Sequence, residues 1–349
     1  MLSRLSAALI VLVYGCADPG PEAVFDTYLK RLERPLGTSA PAWGPESTLR
    51  PPRPAQLQIP IARERLGALD FLALRGCELQ VTVGKRNSSL GRLAPPSQAL
   101  LLELEFLRLA PACIQHLENE GSEALAAALA AVLDNKRQDL PERIYNATLA
   151  TEEFRALWKP PYDLKDYPAN TSSAPVSALE AVNGHIERWL AGDYRVDNRD
   201  FEILLSEVAK GDAGALLAAL NLQQAGLKAA NAMLRSVDER GGLCDGPLVP
   251  AEVDIFKNVV EKFFIRGVQP RAASLGSRGH DLLPPVRSLE AQLETVLPAA
   301  YRKWRARRDA ALAASSSAPK QHVEQVQGLL ETCRQKPQPT PLQTTRSLP

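Results

Sequence analysis

From Glu22 onward, apolar residues recur at steps of three and four, and strand-like runs do not exceed three residues. Such spacing gives each segment one apolar stripe and dictates a chain of amphipathic helices. The first stripe holds Val24, Phe25, Tyr28, Leu29 and Leu32 and ends at Pro35. A second covers residues 61–75 through Leu66, Leu69, Phe71 and Leu72. A third begins at Ser97, a good N-cap, and runs through Leu100, Leu101, Leu104 and Leu107 towards Cys113, with Pro111 expected to bend or interrupt it. Ser122 introduces an Ala-rich helix over residues 124–133 that is apolar nearly all round, hence central; Pro141 and Thr151 open two more. Further helices are expected over residues 176–191, 198–210, 213–238, 251–265, 286–313 and 319–333. Val81-Thr82-Val83 is strand-like but too short to make a sheet, so the fold class is all-α.

A chain of 349 residues, 45% apolar and 23% charged, has enough apolar surface for a sizeable core, which excludes a disordered, collagenous or many-span membrane chain. Lys plus Arg is 41 against 40 for Asp plus Glu, so the net charge carries no nucleic-acid footprint. Residues 37–60, with Pro51-Pro52-Arg53-Pro54, read as an extended surface arm. Residues 159–175 hold Pro160, Pro161, Pro168 and Pro175 with Asn170-Thr171-Ser172-Ser173 and leave little to bury. They mark the expected boundary between two packed helical subdomains, residues 22–158 and 176–333, followed by a disordered tail over 334–349. No fixed-period repeat is present, which argues against a solenoid.

The first sixteen residues point to export. Arg4 precedes an apolar run over residues 5–14, closed by Val13-Tyr14-Gly15-Cys16. A run of that length rises only about 15 Å as a helix, half the roughly 30 Å of a bilayer core, so it reads as a signal and not a span. Gly15-Cys16 resembles the lipobox of bacterial lipoproteins, where the signal, residues 1–15, is removed and the cysteine acylated. Val13 stands where Leu is usual, and Tyr14 is bulky for its place; an ordinary secretory signal fits the same run. With lipid on Cys16, residues 16–21 become a short tether reaching about 20 Å. Ala17 after Cys16 resembles the pattern that sorts lipoproteins to the outer membrane.

Four cysteines remain, Cys77, Cys113, Cys244 and Cys333. In an oxidising compartment they read as two disulfides with three connectivities open, buried free thiols being the alternative. Sequence proximity favours Cys77 with Cys113 and Cys244 with Cys333, restricting the unfolded chain by about 4 and about 4.5 kcal/mol. No Cys-x-x-Cys or Cys/His ligand spacing occurs, so neither metal nor other cofactor is expected.

Two cationic segments and two polar constellations are candidates for chemistry. Arg302, Lys303, Arg305, Arg307 and Arg308 surround Trp304 and can meet lipid headgroups at an anionic surface, at about 1 kcal/mol per cation. Successive residues spread round a helix, so a solvated face with local ion pairs explains them too. The segment Gly84-Lys85-Arg86-Asn87-Ser88-Ser89-Leu90-Gly91 reads as a loop in which Lys85, Arg86, Asn87 and Ser88 can hold an anion. A capped helix connection accounts for the same residues, and GxxxxGK[ST] is absent. His185 with Glu187, or with Asp193, Asp197 and Asp200, supplies acid and base groups that helix-surface polarity and capping also explain. Ser277, His280 and Asp281 have the residue types of a triad without the strand that a nucleophile elbow needs. No catalytic residue is assigned.

Phe25-Asp26-x-Tyr28-x-x-Arg31-Leu32, Cys77-Glu78-Leu79, Arg86-Asn87-Ser88-x-Leu90-Gly91 and Glu152-Glu153-Phe154 together resemble an uncharacterised proteobacterial lipoprotein family known as a domain of unknown function. The resemblance covers most of the mature chain and implies export and lipidation, with no activity, cofactor or catalytic residue attached. The expectation is a nonenzymatic, lipid-anchored protein on the periplasmic face of the outer membrane that binds a periplasmic protein and no nucleic acid. The alternative is a lipid-handling protein or an enzyme with its site between the two helical halves. A deep pocket where His185 meets carboxylates favours catalysis, a dry tunnel lipid carriage, and an exposed groove partner binding.

Overall fold

The computed structural model describes residues 20–46, 49–61, 74–196, 198–244 and 250–334. The expected signal, Cys16 with the tether up to residue 19, residues 62–73 of the second stripe and residues 335–349 of the tail lie outside the described residues. Every element among the described residues is helical. Helix α1 (Glu22–Leu36) leads through the extended arm to the short α2 (Pro54–Leu57). Helices α3 (Leu79–Asn87) and α4 (Ser89–Arg92) form a corner before α5 (Pro96–Asn119), which packs against α6 (Glu123–Gln138). Short helices α7 (Leu140–Ala147) and α8 (Glu152–Leu157) follow, then α9 (Ala174–Leu190), α10 (Asn198–Ala209) and α11 (Ala213–Asp238). Helix α12 (Ala251–Val259) widens into a π-helical segment, Val260–Val268, and continues as α13 (Gln269–Gln292). A 3-10 turn, Glu294–Val296, precedes α14 (Ala299–Arg334).

Local chemistry sets several of these limits. Thr151 caps α8, its side-chain oxygen accepting from the Phe154 amide at 3.3 Å. Ser97 is not the cap of α5, which starts at Pro96, where the missing N–H leaves no donor unsatisfied. Helix α5 also runs on through Pro111 to Asn119. Val81-Thr82-Val83 is helical, because α3 needs Thr82 and Val83 against the core.

Two apolar clusters hold the helices together. The larger, which includes Phe106, Tyr145, Trp158, Trp189 and Tyr301, joins α3 and α5 through α10 to the start of α11, α13 and the start of α14. The smaller joins α1 to the second half of α11, α12, the π segment and the C-terminal half of α14. Each cluster draws on residues from both sides of 159–175: α1 packs with C-terminal elements, and α9, α10 and α13 pack with N-terminal ones. Helices α11 and α14 run parallel through both, since Ser315 meets Asn221 and Gln224 while His322 meets Asn231. Gly226 makes the seat for α1: a Cβ there would lie 2.5 Å from the Phe25 ring. On that seat Phe25, Tyr28, Leu29 and Leu32 are almost wholly buried, each contributing about 1.5–3 kcal/mol.

The C-terminal helices break elsewhere than expected. The helix expected over 286–313 is broken: α13 ends at Gln292, a 3-10 turn follows, and Pro298 holds Leu297 before it extended at ψ 123°. The expected gap before residue 319 is absent, and α14 passes Ser315, Ser316, Ser317 and Pro319 unbroken. A proline in a helix costs about 3 kcal/mol, which the burial of Leu312, Ala318, Val326 and Leu329 along one stripe outweighs. Disulfides pair Cys77 with Cys113 and Cys244 with Cys333, 36 and 89 residues apart, as sequence proximity favours. Among the described residues no helix is long and apolar enough to cross a membrane.

Candidate functional site

Helix α11 places Asn221, Ala225, Lys228, Ala232 and Arg235 three or four residues apart, on one face. That stripe is roughly 21 Å long at the rise of an α-helix. Beside it α14 presents Arg307 and three alanines, and the arm forms the opposite wall with Trp43, Glu46 and Arg50. The three elements enclose an open groove of about 1070 Å³.

The wall is fixed before any ligand arrives. The Trp43 indole donates to Asp26 at 3.0 Å and packs edge-on against Phe25 with ring centres 5.9 Å apart. The Ala40 amide donates to Glu33 at 3.2 Å. Further along, the Gln58 amide donates to the Asn146 and Ala150 carbonyls at 3.1 and 2.9 Å. Asn146 in turn accepts from the Ile59 N–H and donates to the Ile59 carbonyl, both at 2.8 Å. An arm rich in proline and tied at these points loses little entropy on binding.

The groove has an unbalanced charge. Arg50, Lys228, Arg235 and Arg307 line it, and among the described residues none pairs with a carboxylate; Glu46 is the one acidic lining residue. Ser315 donates its one hydroxyl proton to Gln224 Oε1 at 2.9 Å, and its oxygen lies 3.3 Å from the Asn221 side chain. The groove is thus rich in donors and poor in acceptors, lined between them by small apolar alanines.

The cationic patch around Trp304 separates into four environments. Arg302 and Lys303 are exposed. Arg305 pairs with Glu294 through both terminal nitrogens, at 2.5 and 2.9 Å, and Arg307 faces the groove. Arg308 corrects the expectation of a membrane-facing residue: it is 1% exposed, forked onto Glu290 at 2.6 and 2.8 Å, and lies over the Trp158 and Trp304 rings. Tyr301 also donates to Glu290 at 2.6 Å, and burial pushes its hydroxyl far above the usual tyrosine range. The signal was present in the spacing, because Tyr301, Trp304, Arg308 and Leu312 share one helical stripe.

The expected anion loop is the corner between α3 and α4. Ser88 accepts from the Gly91 amide at 3.0 Å, and a Cβ on Gly91 would lie 2.2 Å from the Lys85 carbonyl. Arg86 turns inward to Glu103 at 2.8 Å, Lys85 lies 3.8 Å from Glu105, and Asn87 is exposed. Glu103 also pairs with the buried Lys136 and with Arg143 at 3.6 Å. Burial pushes the Glu103 carboxyl up, but Lys136, Arg86 and Arg143 together outweigh it and hold it below the usual range. The anion of this corner is therefore a side chain of the protein. Glu103 was also missed in the sequence, although it falls on the stripe of Leu100, Leu104 and Leu107.

Of the polar constellations, His185 has Asp200 near enough to favour its charged form, against the stronger opposing effects of burial and Arg188. The His185 ring meets Arg188 at 2.7 Å and stacks on Trp189; burial lowers its basicity, and Arg188 adds to that. Asp193 is held by Arg195 at 2.8 Å, and Asp197 lies outside the described residues. Ser277, His280 and Asp281 are exposed along α13. Among the described residues no three His, Cys, Asp or Glu side chains gather as metal ligands. His322, by contrast, is wholly buried, with Nε2 2.8 Å from the Tyr28 hydroxyl and Nδ1 2.6 Å from Asn231. A neutral ring protonated on Nδ1 satisfies both partners. Burial pushes its pKa down to about 4.

The motifs that carry the family resemblance fall on structural joints. Phe25 and Asp26 hold the arm, Tyr28 meets His322, and Arg31 lies over the Phe263 ring at 5.5 Å. Cys77 is bridged, and Phe154 is buried beside Tyr301. No curated protein and no solved structure matches the chain. A family model described as protein of unknown function (DUF3080) matches residues 25–337, and the chain belongs to that family.

Proposed function

We propose that this chain is an exported proteobacterial lipoprotein, anchored by lipid on Cys16 at the periplasmic face of the outer membrane. There it acts as a nonenzymatic binding protein whose partner enters the groove between α11, α14 and the arm. The observation that carries this reading is the groove itself, an open trough with a prefixed wall and four cations that have no carboxylate partner among the described residues. Burying such cations against a ligand replaces water with opposite charge at little cost in ordering.

Export has separate support. The four cysteines other than Cys16 form two disulfides, a bond type that persists in oxidising compartments. Gly20 lines a cavity that shares Glu46 and Asn221 with the groove. Lipid on Cys16, about 14 Å of extended chain away, holds that end of the groove near the bilayer. The catalytic alternative has His185 near Asp200, but Arg188 lies 2.7 Å from the ring and, with burial, lowers its basicity.

The test is Cys16→Ser in the native host. The expected result is loss of acylation, altered electrophoretic processing and release from the membrane fraction. Unchanged processing and membrane association overturn the anchored reading.

A further inference from the structure

The distribution of charge in the groove identifies the chemistry of its occupant. Over the whole chain, 41 cationic residues balance 40 acidic ones, so four cations facing one carboxylate is a local departure from the average. The four do not converge on a point. Lys228 and Arg235 are two turns apart on α11, about 10 Å, Arg307 comes from α14, and Arg50 comes from the arm. A single phosphate or carboxylate reaches one or two of them. Filling all four requires negative charges spaced along an extended chain.

Two further features narrow the class. Alanines from α11 and α14 line the groove between the cations, giving small apolar surface that a backbone or a short side chain can approach closely. The groove is also an open trough between the arm, α11 and α14, a shape that a narrow extended chain fits along its length. We infer that the groove binds an extended acidic segment of a partner protein, with carboxylates on Arg50, Lys228, Arg235 and Arg307 and small apolar residues on the alanines. This inference rests on the binding-protein reading above and names its partner class. Six or seven extended residues cover the roughly 21 Å stripe.

Fluorescence anisotropy with a labelled octapeptide of alternating glutamate and alanine tests it, on the full chain in detergent at low salt. The expected result is saturable binding that falls about tenfold in Arg307→Ala and again in Lys228→Ala, as removal of one charge-assisted contact implies. Added salt weakens the binding, and a glutamine–alanine octapeptide does not bind. Equal binding of the glutamine peptide, or affinity unmoved in both variants, overturns the inference. Displacement by inorganic phosphate at matched ionic strength makes the groove a point-anion site, and stronger binding of short-chain phosphatidylglycerol makes it a lipid site; either result also overturns it. Self-association lost in the same variants assigns the groove to a second copy instead. Acylation of Cys16 is measured separately: peptide failure with acylation intact removes the acidic partner and leaves the anchored protein standing.

Discussion

Arg307 and Arg308 are neighbours on α14 with opposite environments. Arg308 is sealed between two tryptophans and matched by a forked carboxylate, whereas Arg307 opens onto the groove with no carboxylate partner among the described residues. One residue of helix turns the side chain by about 100° and exchanges one environment for the other. The same division separates the Glu103 site from the groove. Where Arg86, Lys136 and Arg143 surround Glu103, charge holds helices in register. In the groove, charge stays available. Cation density in a sequence therefore says little until the carboxylates are placed.

The comparison breaks most visibly if interior charge is dispensable. Glu103→Gln leaves the buried Lys136 uncompensated and is expected to cost about 3–5 kcal/mol in urea denaturation. A loss below about 1 kcal/mol would mean that Lys136 finds water or another partner.

Acid comes next. His322 is neutral in the fold, with its pKa lowered to about 4, and titrates near 6.5 in the unfolded chain. Below pH 6.5 the unfolded chain binds the proton first, so this contribution is complete above pH 6.5 and lost as pH falls towards 4. The loss is roughly 3 kcal/mol. The groups around the ring, Tyr28, Asn231 and Phe264, bring no compensating charge. Denaturation midpoints measured from pH 7 to pH 4 should fall, and His322→Gln should flatten that part of the profile.

Smaller effects sharpen the picture. Thr151→Ala removes the cap of α8 and should cost about 1 kcal/mol by thermal unfolding. Lys228→Ala should stay within about 0.5 kcal/mol of the parent, because its side chain is exposed and has no carboxylate partner among the described residues.

The helical class was legible because apolar spacing survives any tertiary arrangement, and both cysteine pairs were legible from their proximity along the chain. Helix breaks were harder to read. Pro298 stands in a break between two helices, while Pro319 sits inside one. Both prolines have buried neighbours, Leu297 and Tyr301 beside one and Ala318 and His322 beside the other, so neither burial nor the local sequence separates the two outcomes. Residues 159–175 suggested two halves in series, while α1 crosses to the C-terminal helices because Gly226 leaves room for Phe25. The groove was not legible at all. Its four cations come from three separated segments, and only the fold of the arm brings Arg50 towards Arg307.

The central claim is that adjacent arginines divide between structure and binding. Arg307→Ala and Arg308→Ala should be compared in urea denaturation and in acidic-octapeptide anisotropy on the same preparations. The account predicts that Arg308→Ala loses about 3–5 kcal/mol by stranding Glu290, while Arg307→Ala keeps its stability and binds about tenfold more weakly. Equal stability losses in the two variants, or unchanged peptide affinity in Arg307→Ala, would contradict it.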